Sequence, residues 1–84
     1  MRTGVWIVSL SEAIKIRIFA LMKENGFSQY DFYTKGGIAK STVSQVLNGT
    51  RERVAIRTIY EMISTMGVSL KEFFDDPIFD EISD

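Results

Sequence analysis

Eighty-four residues, 45% of them hydrophobic and 25% charged with a single proline, make one small folded domain, not a disordered or collagen-like chain. The chain has no cysteine and no histidine. That excludes disulfides, thiolate zinc sites, iron–sulfur clusters, thiol nucleophiles, Ser–His–Asp triads and imidazole bases. Net charge is only −1, yet nine basic residues stand against four acidic ones up to Arg57, and one against seven from Thr58 on. Such a split suits a positive part that meets phosphate and an acidic part that faces away, and it also occurs on ordinary surfaces.

Taken in chain order, the punctuation marks helices. Val5–Trp6–Ile7–Val8 is β-branched and aromatic, so residues 1–9 are expected to form an extended arm. This apolar run is too short for a signal peptide or a membrane span, and a soluble cytoplasmic protein is expected. Ser9-x-x-Glu12 is a capping box that opens a helix over 10–25. Its apolar stripe is Leu10, Ala13, Ile14, Ile18, Leu21 and Met22. Ser28-x-x-Asp31, a weaker box with a shorter acid, opens a second helix over 29–35. A third helix follows over 40–47, and a fourth over 55–66 with the stripe Ile56, Ile59, Tyr60, Ile63 and Met66. Ser69-x-x-Glu72 opens a fifth over 70–75, which Asp76–Pro77 ends because proline disfavours helical geometry at the residue before it. Gly26, the pair Gly36–Gly37, Gly49 and Gly67 stand where left-handed caps and turns are needed. In the acidic tail, 77–84, the spacing of Ile78, Phe79 and Ile82 predicts a helical turn with an apolar face. The expectation is an all-α, compact five-helix domain over residues 10–76.

The informative stretch runs from Ser28 to Gly49. On the third helix Lys40, Ser41, Ser44, Gln45 and Asn48 fall within about 140° of arc, with Val43, Val46 and Leu47 on the other side. One face is packed; the other is polar, short-chained and carries one positive charge. Gln pairs bidentately with adenine, Lys reaches guanine acceptors and Ser serves either base, so this face suits a major groove. Asp75–Asp76 could hold a metal in principle, but the pair is adjacent at a helix end. The chain has no Walker A motif and no GxGxxG, so neither an enzyme nor a cofactor is expected.

These residues resemble the helix-turn-helix of the lambda-repressor/Cro-like (Xre-type) transcriptional regulators. The resemblance is carried by Ser28–Gln29, Gly37–Ile38, Lys40-Ser41-Thr42-Val43-Ser44 and Asn48–Gly49. Thr58–Ile59, Gly67–Val68–Ser69–Leu70 and Phe73–Phe74 extend it, so that it covers about residues 10–76. It implies a sequence-specific reader of double-stranded DNA, a repressor on a palindromic operator, associated with the nucleoid; separately, no small-molecule ligand is expected. By that resemblance Lys40, Ser41, Ser44 and Gln45 contact bases. Gln29, Thr42, Asn48, Arg51 and Arg53 contact the DNA backbone. Two positions depart from the family pattern: Tyr33 stands where a small residue is usual, and Ala39 where a Ser or Thr N-cap is usual. Such regulators usually pair. The candidate homodimer surfaces are Phe74, Ile78, Phe79 and Ile82, or the arm Val5, Trp6, Ile7 and Val8. The alternative is a protein-interaction module on the same scaffold, with Tyr30 and Tyr33 as its contact residues.

Overall fold

The computed structural model describes residues 8–48 and 53–82. Val5, Trp6, Ile7, Gly49 and Arg51 lie outside the described residues. Five helices run in the order α1 (Leu10–Glu24), α2 (Gln29–Thr34), α3 (Lys40–Leu47), α4 (Ile56–Thr65) and α5 (Leu70–Phe74), followed by a 3-10 turn (Pro77–Glu81). Among the described residues there is no strand, only an isolated parallel bridge between Val8 and Ile82. α1 packs on α3 and on the 3-10 turn, α2 on α3, and α4 on α5.

Local chemistry sets the helix ends. The Ser9 and Ser69 hydroxyls accept the N–H groups of Glu12 and Glu72. The shorter acid makes the reciprocal box at α2: Ser28 Oγ accepts from the Asp31 N–H, and the Asp31 carboxylate accepts from the Ser28 N–H at 2.8 Å. α1 and α4 end alike. Phe27 N–H reaches Met22 O and Val68 N–H reaches Ile63 O, with Gly26 and Gly67 at positive φ. The end of α2 is one residue wider, since Ile38 N–H reaches back to Phe32 O. Of its two glycines only Gly37 is left-handed, at φ 64°. Gly36 is needed for space, because a Cβ there would lie 2.5 Å from Thr65 Oγ1 and 2.9 Å from Phe32 O. Asp76 is extended, as a residue before proline must be, and its carboxylate caps the 3-10 turn through the Ile78 N–H.

The core is built by Ile18 and Leu21 from α1, Phe32 from α2, Val43 from α3, Ile59, Met62 and Ile63 from α4, and Phe73 from α5, all fully buried. Each such side chain contributes about 1.5–3 kcal/mol of burial. Two stripe expectations need correction. Ile56 and Tyr60 are 55% and 50% exposed, while Met62, which the stripe omitted, is fully buried. The buried residues Ile59, Met62 and Ile63 share roughly 100° of arc, and Ile56 and Tyr60 fall past its edge. Leu10 lies on the right face of α1 but in its first turn, beyond the end of the core, and is exposed.

Arg17 also lies within the apolar arc of α1. Its Nε donates to Phe73 O and its Nη2 to Glu72 O, both at 2.8 Å, and its Nη1 is 3.3 Å from Asp76 Oδ2. The guanidinium therefore caps the C-terminus of α5 and fastens the tail. It belongs to the packing, not to the positive face. The tail folds back: Phe79 stacks on Phe73 and Phe74 with ring centroids 5.5 and 5.0 Å away, and Val8 N–H bonds Glu81 O at 3.0 Å.

Candidate nucleic-acid interface

α2 and α3 are locked by the apolar residues around their turn. Phe32, Ile38, Val43, Val46 and Leu47 are all buried, which leaves α3 only one direction in which to present its remaining face. Lys40, Ser41 and Asn48 are exposed, and Thr42, Ser44 and Gln45 are half-buried beside them. Gln29 is exposed at the start of α2, and Arg53 is exposed in the segment before α4. The structure thus brings Lys40, Ser41, Thr42, Ser44, Gln45 and Asn48 onto one short helix, with Gln29 on the helix before it.

Within that set Ser44 and Asn48 are paired with each other. Asn48 Nδ2 donates to Ser44 Oγ at 2.9 Å. The Ser44 hydroxyl keeps its own proton to donate, and the pair acts as one unit at the end of α3. Asn48 is also the helix C-cap, with its backbone N–H on Ser44 O and Val46 O. At the other end Ala39 is the N-cap in extended geometry without a side-chain hydrogen bond. The amides of the first turn of α3 therefore receive no hydroxyl from the chain where a Ser or Thr would supply one.

Tyr33 resolves the crowding that a bulky residue between α2 and α3 implies, because it points aside. Its ring is half-buried, packs edge-on to Tyr30 at 6.3 Å, and lies 5.6 Å beneath the Lys40 ammonium. Its hydroxyl accepts from Gln29 Nε2 at 2.8 Å. By sequence alone Tyr33 is a bulky residue where the family pattern has a small one. A glutamine and a tyrosine at i,i+4 on a helix surface are neighbours, and that spacing was the available signal.

Several basic residues of the domain are held by acids on their own helices. Lys35 is 3.6 Å from the Asp31 carboxylate, Arg57 is 3.7 Å from Glu61, and Lys15 is 2.6 Å from Glu12. The Ser28 N–H, followed by the Ser28 hydroxyl and Lys35, holds the Asp31 carboxyl below its ordinary value of 3.8. Among the described residues, no group of three or more acidic side chains is placed to hold a metal ion. No helix there is long and apolar enough to cross a membrane.

Residues 18–73, two thirds of the chain, match the helix-turn-helix family profile. That span runs from the middle of α1 to the buried Phe73 of α5. No curated protein and no solved structure matches the chain. An all-α fold, a helix pair locked by a glycine turn and the family match agree: the chain belongs to the Cro/C1-type (Xre) helix-turn-helix family of DNA-binding regulators.

Proposed function

We propose that this protein is a sequence-specific repressor that reads the major groove of double-stranded DNA with α3. The observation that carries the reading is the two-sidedness of α3 within the family-matched span. Val43, Val46 and Leu47 are buried, and Lys40, Ser41, Ser44 and Gln45 form the opposite, hydrogen-bonding face. In this reading these four residues contact base edges, and Gln29, Thr42, Asn48, Arg51 and Arg53 contact the backbone. Residues 10–76 act as the DNA-binding domain, 1–9 as an arm and 77–84 as a tail, and the protein works on the nucleoid.

One short helix offers few base contacts, so the protein pairs on a palindrome with half-sites about 34 Å apart. In this reading, with the arm Val5, Trp6, Ile7 and Val8 as the second candidate, the pairing surface is the end where α5 and the tail meet. Phe74 is exposed there, and Ile78, Phe79 and Ile82 are half-buried. The bridge between Val8 and Ile82 joins the start of the described chain to the tail.

The test is selection of bound sequences from a random duplex pool at moderate salt. An enriched palindrome supports the paired reader, and an enriched single half-site keeps the DNA reading without the dimer. If the folded chain enriches nothing, the protein-interaction reading gains. That reading has one observation in its favour, Tyr30 at 65% exposure beside Tyr33. Salt separates the two, since each neutralised phosphate releases a counterion and makes DNA binding steeply salt-dependent.

A further inference from the structure

The residue that departs most from the family pattern sits between two residues that the DNA reading uses. Gln29, assigned to a phosphate, donates its side-chain amide to the Tyr33 hydroxyl at 2.8 Å. Lys40, assigned to a base, holds its ammonium 5.6 Å above the Tyr33 ring, within cation–π range. Tyr30 closes the ring's edge at 6.3 Å and an interplanar angle of 82°. The ring itself leans on the core, so it is a fixed platform and not a swinging side chain.

A phenol that accepts one hydrogen bond still has a proton to donate. Tyr33 accepts from Gln29, so its O–H remains to donate to a group other than that amide. A phosphate oxygen has no proton and needs donors. The Lys40 side chain, for its part, has four rotatable bonds, and an ammonium imposes no fixed hydrogen-bond geometry. A ring beneath it narrows the directions it takes and keeps it at the entry of α3.

We propose that Tyr33 is a DNA-binding residue in its own right: its hydroxyl donates to a backbone phosphate alongside Gln29, and its ring positions Lys40 for base reading. The inference rests on the DNA reading above and adds a contact that a small residue at this position cannot make. Two functions sit on one side chain, and they separate by substitution. Phenylalanine keeps the platform and removes the donor, whereas leucine removes both.

The experiment uses the full chain and two duplexes, one of mixed sequence and the one enriched from the random pool, with binding read by fluorescence anisotropy over a range of salt. Tyr33→Phe is expected to bind both duplexes about tenfold more weakly, with the ratio between them unchanged, because a lost hydrogen bond to a charged phosphate carries no sequence information. Tyr33→Leu is expected also to reduce the preference for the enriched duplex about two- to fivefold, the range of an exposed cation–π contact. In the Tyr33→Leu background, Lys40→Ala then costs less preference than it does in the wild type. A readout without DNA accompanies this: the Lys40 side-chain protons are expected to lie upfield under the ring current, to move downfield in Tyr33→Leu and to stay in place in Tyr33→Phe. Circular dichroism melts establish that each variant is folded.

Wild-type binding by Tyr33→Phe overturns the phosphate donor. Strict additivity of Tyr33→Leu and Lys40→Ala, with unmoved Lys40 protons, overturns the platform. A wild-type chain that enriches no duplex from the pool and does not bind the mixed one refutes the DNA reading itself and this proposal with it, so the two failures are told apart by the wild type alone.

Discussion

Replacing Arg17 by leucine removes three contacts from a side chain that is only 11% exposed. Two are hydrogen bonds from a charged donor to Glu72 O and Phe73 O, each 2.8 Å long. These carbonyls belong to the end of a five-residue helix, where the last C=O groups have no partner within the helix. Hydrogen bonds from charged groups contribute about 1.5–3 kcal/mol each, and leucine recovers part of the loss by filling the space of the stem. The third contact, with Asp76 at 3.3 Å, is a third exposed on the acid side and adds about 0.2–1 kcal/mol. The expected loss is about 2–4 kcal/mol, a large part of the stability of a small domain. For a chain of this size it lowers Tm by about 10–20 °C. Urea unfolding followed by circular dichroism reads it directly. Asp76→Asn should lose less than about 1 kcal/mol, and Arg17→Lys should fail to restore stability, because a point charge cannot supply two donors at fixed angles. Since Arg17 faces α5 and the tail, the folded variant should keep the wild-type salt slope of DNA binding. A loss below about 0.5 kcal/mol, or full rescue by lysine, would refute the account of the guanidinium as a helix cap.

The remaining predictions concern the turn, the α2 box and the reading face. Gly36→Ala should destabilise by about 1–3 kcal/mol, because its methyl group would meet Thr65 Oγ1 and Phe32 O at 2.5 and 2.9 Å. Thr65→Ala should relieve part of that in the double variant, and simple additivity would count against the steric explanation. Asp31 has a lowered carboxyl pKa in the folded state, so its contribution is fully present above the ordinary value of 3.8 and is lost as pH falls through the folded value. The stability gap between wild type and Asp31→Asn should therefore shrink between about pH 6 and pH 3, and an equal gap at both would contradict the sign. Gln45→Ala should cost about 1–3 kcal/mol at one base pair and relax specificity there, whereas Arg51→Ala or Arg53→Ala should weaken binding to every duplex and lower the salt slope by about one. Identical behaviour of the two kinds of variant would remove the distinction between base readers and backbone contacts.

Much of the fold was legible because it is decided within a few residues of chain. Serine caps, left-handed glycines and the three-and-four spacing of apolar residues act through neighbours at i+3 and i+4, and they placed α1 to α5 to within a residue or two. The packed side of α3 followed from the same periodicity, so the composition of its polar face is readable from the chain alone. Tertiary structure decided what those rules leave open. It put Arg17, an ordinary basic residue by sequence, under the C-terminus of α5, because its partners lie far along the chain in Glu72, Phe73 and Asp76. It rotated the buried side of α4 away from one edge of the stripe, exposing Ile56 and Tyr60 and burying Met62, which lies beyond the other edge. It gave Gly36 a steric role that no dihedral preference announces, and it folded the tail back onto Phe73. It also made Tyr33, a departure from the family pattern by sequence, the link between Gln29 and Lys40. Local sequence sets what each segment can become. Which of its surfaces are used depends on groups brought together only when the chain has closed on itself.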